Sequence, residues 1–190
     1  MDRRWLLVLA TPLLAWTVGA IALPHPTGVV AEQAAFDRTS VADAVSTTPK
    51  TPGSAVDVTL GKVIQLRGFD APPQALSRGA RWSGALHFAA LAVVDTDWQV
   101  FVHVDAADGT AFRMNADHWP VGGRYRSGLW RPGEHVVDRF DVTVPVGAPA
   151  GLYDVWVGLY RGEVRLPTTG GDRSVVDADN RVRVGRIVVE

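Results

Sequence analysis

From about Val56 to the C-terminus, apolar side chains recur at every second position, and this period of two limits the fold more than any other feature. Successive side chains of an extended strand point to opposite faces, so the pattern marks strands with one buried side. Val100, Val102 and Val104 alternate with Gln99, His103 and Asp105. Phe140, Val142 and Val144 alternate with Arg139, Asp141 and Thr143 in the same way. Tyr153, Val155, Val157 and Leu159 form one face of another run, with Asp154, Trp156 and Tyr160 on the other. Within residues 80–94, Trp82, Leu86 and Phe88 oppose Arg81, Ser83 and His87. The last run changes phase: Val182 and Val184 share one face, then Ile187 and Val189 do, with Gly185 at the slip, as a β-bulge requires. No long segment after Val56 has helical periodicity.

Turn residues separate these runs. Asp108-Gly109 is a strong hairpin signal, Pro132-Gly133 and Gly170-Gly171 read as breakers, and Pro145 to Gly151 links two strands. About eight strands result, joined by short links that favour antiparallel neighbours. The expected fold is all-β: an antiparallel, immunoglobulin-like sandwich of two sheets over residues 56–190, with a closed barrel as the alternative.

The N-terminus has another character. Arg3 and Arg4 precede an uncharged apolar run from Trp5 to Leu23. As a helix it would span roughly 28 Å, close to the ~30 Å hydrocarbon core of a bilayer. The basic pair before it predicts a cytoplasmic N-terminus and an extracytoplasmic body, such as a periplasmic domain tethered to the inner membrane. Residues 1–23 therefore read as a single-pass signal anchor. Ala20-Ile21-Ala22 also fits a signal peptidase site, so a cleaved signal peptide is the second reading. Residues 24–55, punctuated by Pro24, Pro26, Pro49 and Pro52, read as a flexible spacer. The competing reading is a segment ordered against a membrane partner, with one or two short helices within residues 29–45 and Ser40 as an N-cap.

Composition removes several function classes. The net charge is -1 with no basic stripe, so no nucleic-acid partner is expected. The chain has no cysteine, which excludes disulfides, thiolate zinc sites and thiol catalysis. No G-x-S-x-G motif occurs, and the carboxylates show no spacing that pairs them for glycoside hydrolysis. His103, Asp105, Asp117 and His118 form only a weak metal set. Asp177, Asp179 and Asn180 read as an Asx turn rather than a calcium loop. No catalytic residue, metal or cofactor is assigned, and the chain is expected not to be an enzyme.

The candidate binding set is aromatic. Trp119, Tyr125 and Trp130 lie within twelve residues, interleaved with Arg124, Arg126 and Arg131. Exposed, the set Trp119, Arg124, Tyr125, Trp130 and Arg131 would make a platform for sugar rings or a protein partner. Buried, the same aromatics would pin a long loop to the sandwich edge.

A family resemblance accompanies these residues. The order Val100-Phe101-Val102-His103-Val104, Asp117-His118-Trp119-Pro120, Trp130-Arg131-Pro132-Gly133-Glu134, Pro149-Ala150-Gly151-Leu152-Tyr153 and Val157-Gly158-Leu159-Tyr160 resembles a known bacterial domain. It is the extracytoplasmic C-terminal β-sandwich of multi-spanning glycosyltransferase-like proteins of the dolichyl-phosphate-mannose mannosyltransferase type. The resemblance covers residues 61–190 and implies an appendage to envelope-polysaccharide chemistry. It implies no transferase activity, because the multi-spanning catalytic portion is absent from this sequence. The expected role is a non-enzymatic interaction module or accessory subunit of a membrane assembly. The alternative is a glycan-binding accessory in polysaccharide synthesis or export.

Overall fold

The computed structural model describes residues 28–72 and 75–190. The apolar run at residues 5–23, with its expected membrane helix, lies outside the described residues. Among those described, no helix is long and apolar enough to cross a membrane.

A short helix α1 (Val29–Ala35) and a 3-10 turn (Arg38–Val41) lead into eleven strands. These are β1 (Val45–Ser46), β2 (Ser54–Leu60), β3 (Ile64–Asp70), β4 (Arg81–Ala90), β5 (Gln99–Ala106), β6 (Arg113–Asn115), β7 (His135–Thr143), β8 (Gly151–Arg161), β9 (Val164–Arg165), β10 (Thr168–Gly171) and β11 (Val182–Val189). One sheet has the order β1-β7-β4-β3-β2-β10 and the other β11-β8-β5-β6, with β9 paired to β8. Every strand pair is antiparallel. The inner faces meet in one apolar cluster that draws Leu66, Leu86 and Phe140 from the first sheet and Val102, Val157 and Ile187 from the second. The chain is thus mostly β, as two antiparallel sheets around a shared core.

Alternation is what builds that core. Val100, Val102, Val104, Val155, Val157 and Leu159 are fully buried, whereas Gln99, His103 and Asp105 are only half-buried. The register of β11 against β8 slips between Arg183 and Gly185, the bulge that the phase change predicts. Two local expectations change. Gly170 and Gly171 do not break a strand but form β10 on the sheet edge. There Gly171 (φ +88°) packs against the Asp57 carbonyl, where a Cβ would collide with backbone. His87, expected to face solvent, is 6% exposed on the central strand β4, its Nε2 2.9 Å from Asp70 Oδ2. The turn from β2 to β3 has positive φ at both Gly61 and Lys62, the type I′ geometry that suits a tight hairpin.

The spacer is the larger correction, because residues 28–46 fold onto the sandwich. Val41 is fully buried and Gln33 nearly so. Gln33 Nε2 donates to the carbonyls of Gly128 (3.0 Å) and Val94 (3.4 Å). Arg38 is the principal clamp: Nε meets Glu134 Oε1 at 2.6 Å, while the remaining nitrogens donate to the carbonyls of Gln33, Phe36 and Leu129. Four backbone and side-chain acceptors on one guanidinium make the segment part of the body rather than a tether. Asp37, not Ser40, caps the 3-10 turn, accepting from Thr39 N at 3.0 Å.

Two outcomes follow from this packing. Arg38→Ala leaves the buried Glu134 carboxylate without its cation, a loss of about 3–5 kcal/mol. In a chain of this size that lowers the melting temperature by roughly 10 °C, measurable by circular dichroism. Val102→Asp and Val157→Asp each bury an unpaired charge and should leave no folded baseline, whereas surface substitutions such as Gln99→Ala should melt with the parent.

Candidate functional site

Pro120-Val121-Gly122-Gly123 forms a tight turn, with Val121 and Gly122 at φ +55° and +61°. The turn is tied down by the fully buried Asp138, which accepts from Val121 N at 2.7 Å and faces His118 Nε2 at 2.8 Å. His118 Nδ1 lies 2.7 Å from the Ala116 carbonyl. Both ring nitrogens thus face acceptors, which only the protonated imidazolium can satisfy. Burial opposes the charge, but the hydrogen bond and charge of Asp138 and the Ala116 carbonyl together raise the His118 pKa above its usual 6.5.

The expected aromatic platform is divided by the fold. Tyr125 and Trp130 are fully buried, so neither offers a face to a ligand. The Tyr125 hydroxyl lies within reach of the Leu129 carbonyl and the Glu134 carboxylate, and burial together with that carboxylate pushes its pKa up. Trp130 Nε1 donates to the Tyr125 carbonyl at 3.1 Å, and its ring packs on Phe88. Arg124 makes a two-pronged pair with Asp43, and Arg131 donates to the Gln33 and Ala34 carbonyls. These four residues pin the loop and clamp the N-terminal segment. Of the three aromatics only Trp119, at 38%, is exposed. The Trp130 to Glu134 motif is therefore structural: buried ring, clamp, turn and buried acceptor in five consecutive residues.

A cleft of about 580 Å³ opens elsewhere, on the outer face of the second sheet. Phe101 and His103 come from β5, Tyr160 from the end of β8, and Arg165 from β9, with Asp117 and Asp179 supplied by loops. Its volume is that of an ordinary small-ligand site. Phe101 pairs across the sheet with Gly158, and its ring lies where a Cβ on that residue would sit. The Arg165 guanidinium lies over the ring, 5.1 Å from its centre, and its Nη1 donates to the Asp179 carbonyl at 2.9 Å. Tyr160 stands at the edge of Phe101, ring centres 6.3 Å apart.

Two polar groups at the cleft are not satisfied by each other. His103 Nε2 and Asp117 Oδ1 stand 3.9 Å apart, beyond hydrogen-bond range. The same Asp117 oxygen accepts from Val102 N at 3.1 Å, which holds it in place. His103 Nδ1 is buried without a hydrogen-bond partner, and burial lowers the pKa of the ring, keeping it neutral near pH 7. A neutral imidazole beside a fixed carboxylate can share one bridging hydroxyl. Further along the face, Asp105 receives Arg113 and Arg181, while Arg181 covers the Trp156 ring at 4.8 Å. Burial alone would raise the Asp105 pKa; these two guanidinium groups more than offset it.

Among the described residues, no three His, Asp or Glu side chains converge as a metal site. Asp177 accepts from the backbone of Asp179 and Arg181, so this acidic group is an Asx turn. Of the cleft residues, the sequence places Tyr160 and His103 on outward faces and groups Asp117 with His103, but it does not join them to Phe101, Arg165 and Asp179.

Two measurements check this geometry. Gly158→Ala should cost about 1–3 kcal/mol through collision with Phe101, and Phe101→Leu in the same chain should recover part of that loss. The His118–Asp138 pair contributes stability that is complete below about pH 6.5 and is lost as pH rises through the elevated folded pKa. Denaturant unfolding at about pH 6 and about pH 9 should show this decline, and His118→Gln should flatten it.

No family model matches the sequence, and no curated protein resembles it at a significant level, so the geometry of the cleft carries the functional reading.

Proposed function

We propose that the chain is a non-catalytic binding module, held on the outer side of a membrane by the apolar run at residues 5–23. Its recognition surface is the cleft of the second sheet, and its ligand is a hydroxyl-rich ring such as a sugar unit of a cell-envelope polysaccharide. One observation carries the reading: His103 Nε2 and Asp117 Oδ1, 3.9 Å apart, can both be reached from the cleft side by one hydroxyl about 2.8 Å from each. Tyr160, Arg165 and Asp179 supply further donors and acceptors beside an aromatic wall, the mixture by which a site orients a polar ring. The resemblance of residues 61–190 to the sandwich of glycosyltransferase-like membrane proteins adds the envelope context. In that context the chain is an accessory to polysaccharide synthesis or export, working as an interaction module of a membrane assembly.

We also read the fold as immunoglobulin-like. The order β3-β4-β7 against β6-β5-β8-β11 corresponds to strands A-B-E and C′-C-F-G of that architecture. Tyr153, near the start of the strand equivalent to F, donates from its hydroxyl to the Pro149 carbonyl at 2.7 Å, the corner that such sandwiches use.

Isothermal titration against soluble fragments of envelope polysaccharides tests the function. Binding should weaken about tenfold or more in Tyr160→Ala and Asp117→Asn, the loss expected for a buried hydrogen bond left unmade. Trp119→Ala should bind as the parent does. Absence of heat with every fragment, or parental affinity in both cleft variants, would refute the assignment.

A further inference from the structure

We propose that the end of the sandwich at which the chain enters rests on the lipid surface, with Val30, Leu91, Val93 and Trp119 seated in the interfacial zone. The inference rests on reading residues 5–23 as a membrane span, and it fixes how the body stands on that span.

The distance is set by the docked N-terminal segment. Only residues 24–28 separate Leu23 from α1, at most about 20 Å of fully extended chain. α1 is not free to swing away. Gln33 is held by the Val94 and Gly128 carbonyls, and its own carbonyl receives Arg38 and Arg131. A body joined to a bilayer by so short a link, through a helix fixed to one of its ends, presents that end to the lipid.

The strand register identifies what lies there. β4 ends at Ala90 opposite Ile64, and the 91–98 loop crosses from there to the start of β5. Gln99 is opposite Tyr160, so the β8–β9 hairpin occupies the same end. His118 pairs with Val100, which brings Trp119 there as well. Eight large apolar side chains are exposed on the described body, and five of them share this end: Val30, Leu91, Val93, Trp119 and Val164. The remaining three, Val146, Leu152 and Val188, lie at the opposite end, where Leu152 pairs with Val188. Scattered apolar residues need no explanation on a soluble surface, but here most of them cluster where the chain itself requires a bilayer. Trp119 has the amphipathic ring that favours the headgroup region. Lys62 and Arg161 share this end with Glu32, Asp95 and Glu163, so charge selects no anionic lipid and the contact is apolar. The cleft, reached through Tyr160 and Phe101 near the same end, would then open close to the membrane surface.

The cysteine-free chain permits a clean test. Single cysteines replace Leu91, Val164, Val146 or Ala15 in the full chain, each carrying an environment-sensitive fluorophore, in phosphatidylcholine vesicles that contain a lipid-borne quencher. The label at Ala15 should be strongly quenched, and the labels at Leu91 and Val164 several-fold more than the label at Val146. A quenched Ala15 with Leu91, Val164 and Val146 equally unquenched would overturn the inference while leaving the anchor intact, and would turn attention to a protein covering that end. An unquenched Ala15 would overturn the anchor and the inference together.

Discussion

The alternation of β5 and β8 governs the rest of the molecule. Val100, Val102 and Val104 are committed to the core, as are Val155, Val157 and Leu159, and none can be spared without losing the contact between the sheets. That commitment leaves Phe101, His103, Trp156, Gly158 and Tyr160 on the outer face of the same two strands. The cleft is therefore not an addition to the fold; it is the other side of the core. Its floor is as rigid as the sandwich, because each cleft residue on β5 is flanked by fully buried valines. A site built on paired strands holds its polar groups in fixed positions before any ligand arrives, which lowers the ordering cost of binding.

A second centre, the buried Glu134, joins the parts that the sheets do not. Its carboxylate accepts from Arg38 Nε, Arg131 N and the Tyr125 hydroxyl. One side chain thereby ties the N-terminal segment, the loop after β6 and the start of β7 together. Buried charge is costly unless each lone pair finds a donor, and here the donors come from the N-terminal segment and from the loop before β7. The consequence is mechanical: an alanine-rich segment becomes a rigid connection between the sandwich and whatever precedes residue 28.

Much of the β architecture was legible in the sequence because its signals are local and repeated. The facing of Val100 to Val104, of Phe140 to Val144 and of Tyr153 to Leu159 follows from period two alone, and the slip at Gly185 is visible as a change of phase. The docking of residues 28–46 was not legible, since Arg38 and Glu134 are 96 positions apart and nothing local links them. For Tyr125 and Trp130 the sequence left two readings open, and burial selects the pin. An aromatic platform and an aromatic pin have the same composition, and only burial tells them apart. The cleft combines residues from two neighbouring strands, a hairpin and two loops, so its parts were visible singly while their convergence was not. One clue was available: Gly158 lies in a strand between two core residues, a position where a missing side chain implies that something else lies flat across the sheet.

The central claim is that recognition occurs on the outer face of the second sheet and not on the loop between Trp119 and Arg131. Amide chemical-shift mapping of residues 28–190 during titration with soluble envelope-polysaccharide fragments tests this most directly. The account predicts perturbations concentrated at Phe101, His103, Asp117, Tyr160, Arg165 and Asp179. Perturbations centred on residues 119–131, or none at saturating fragment, would contradict it.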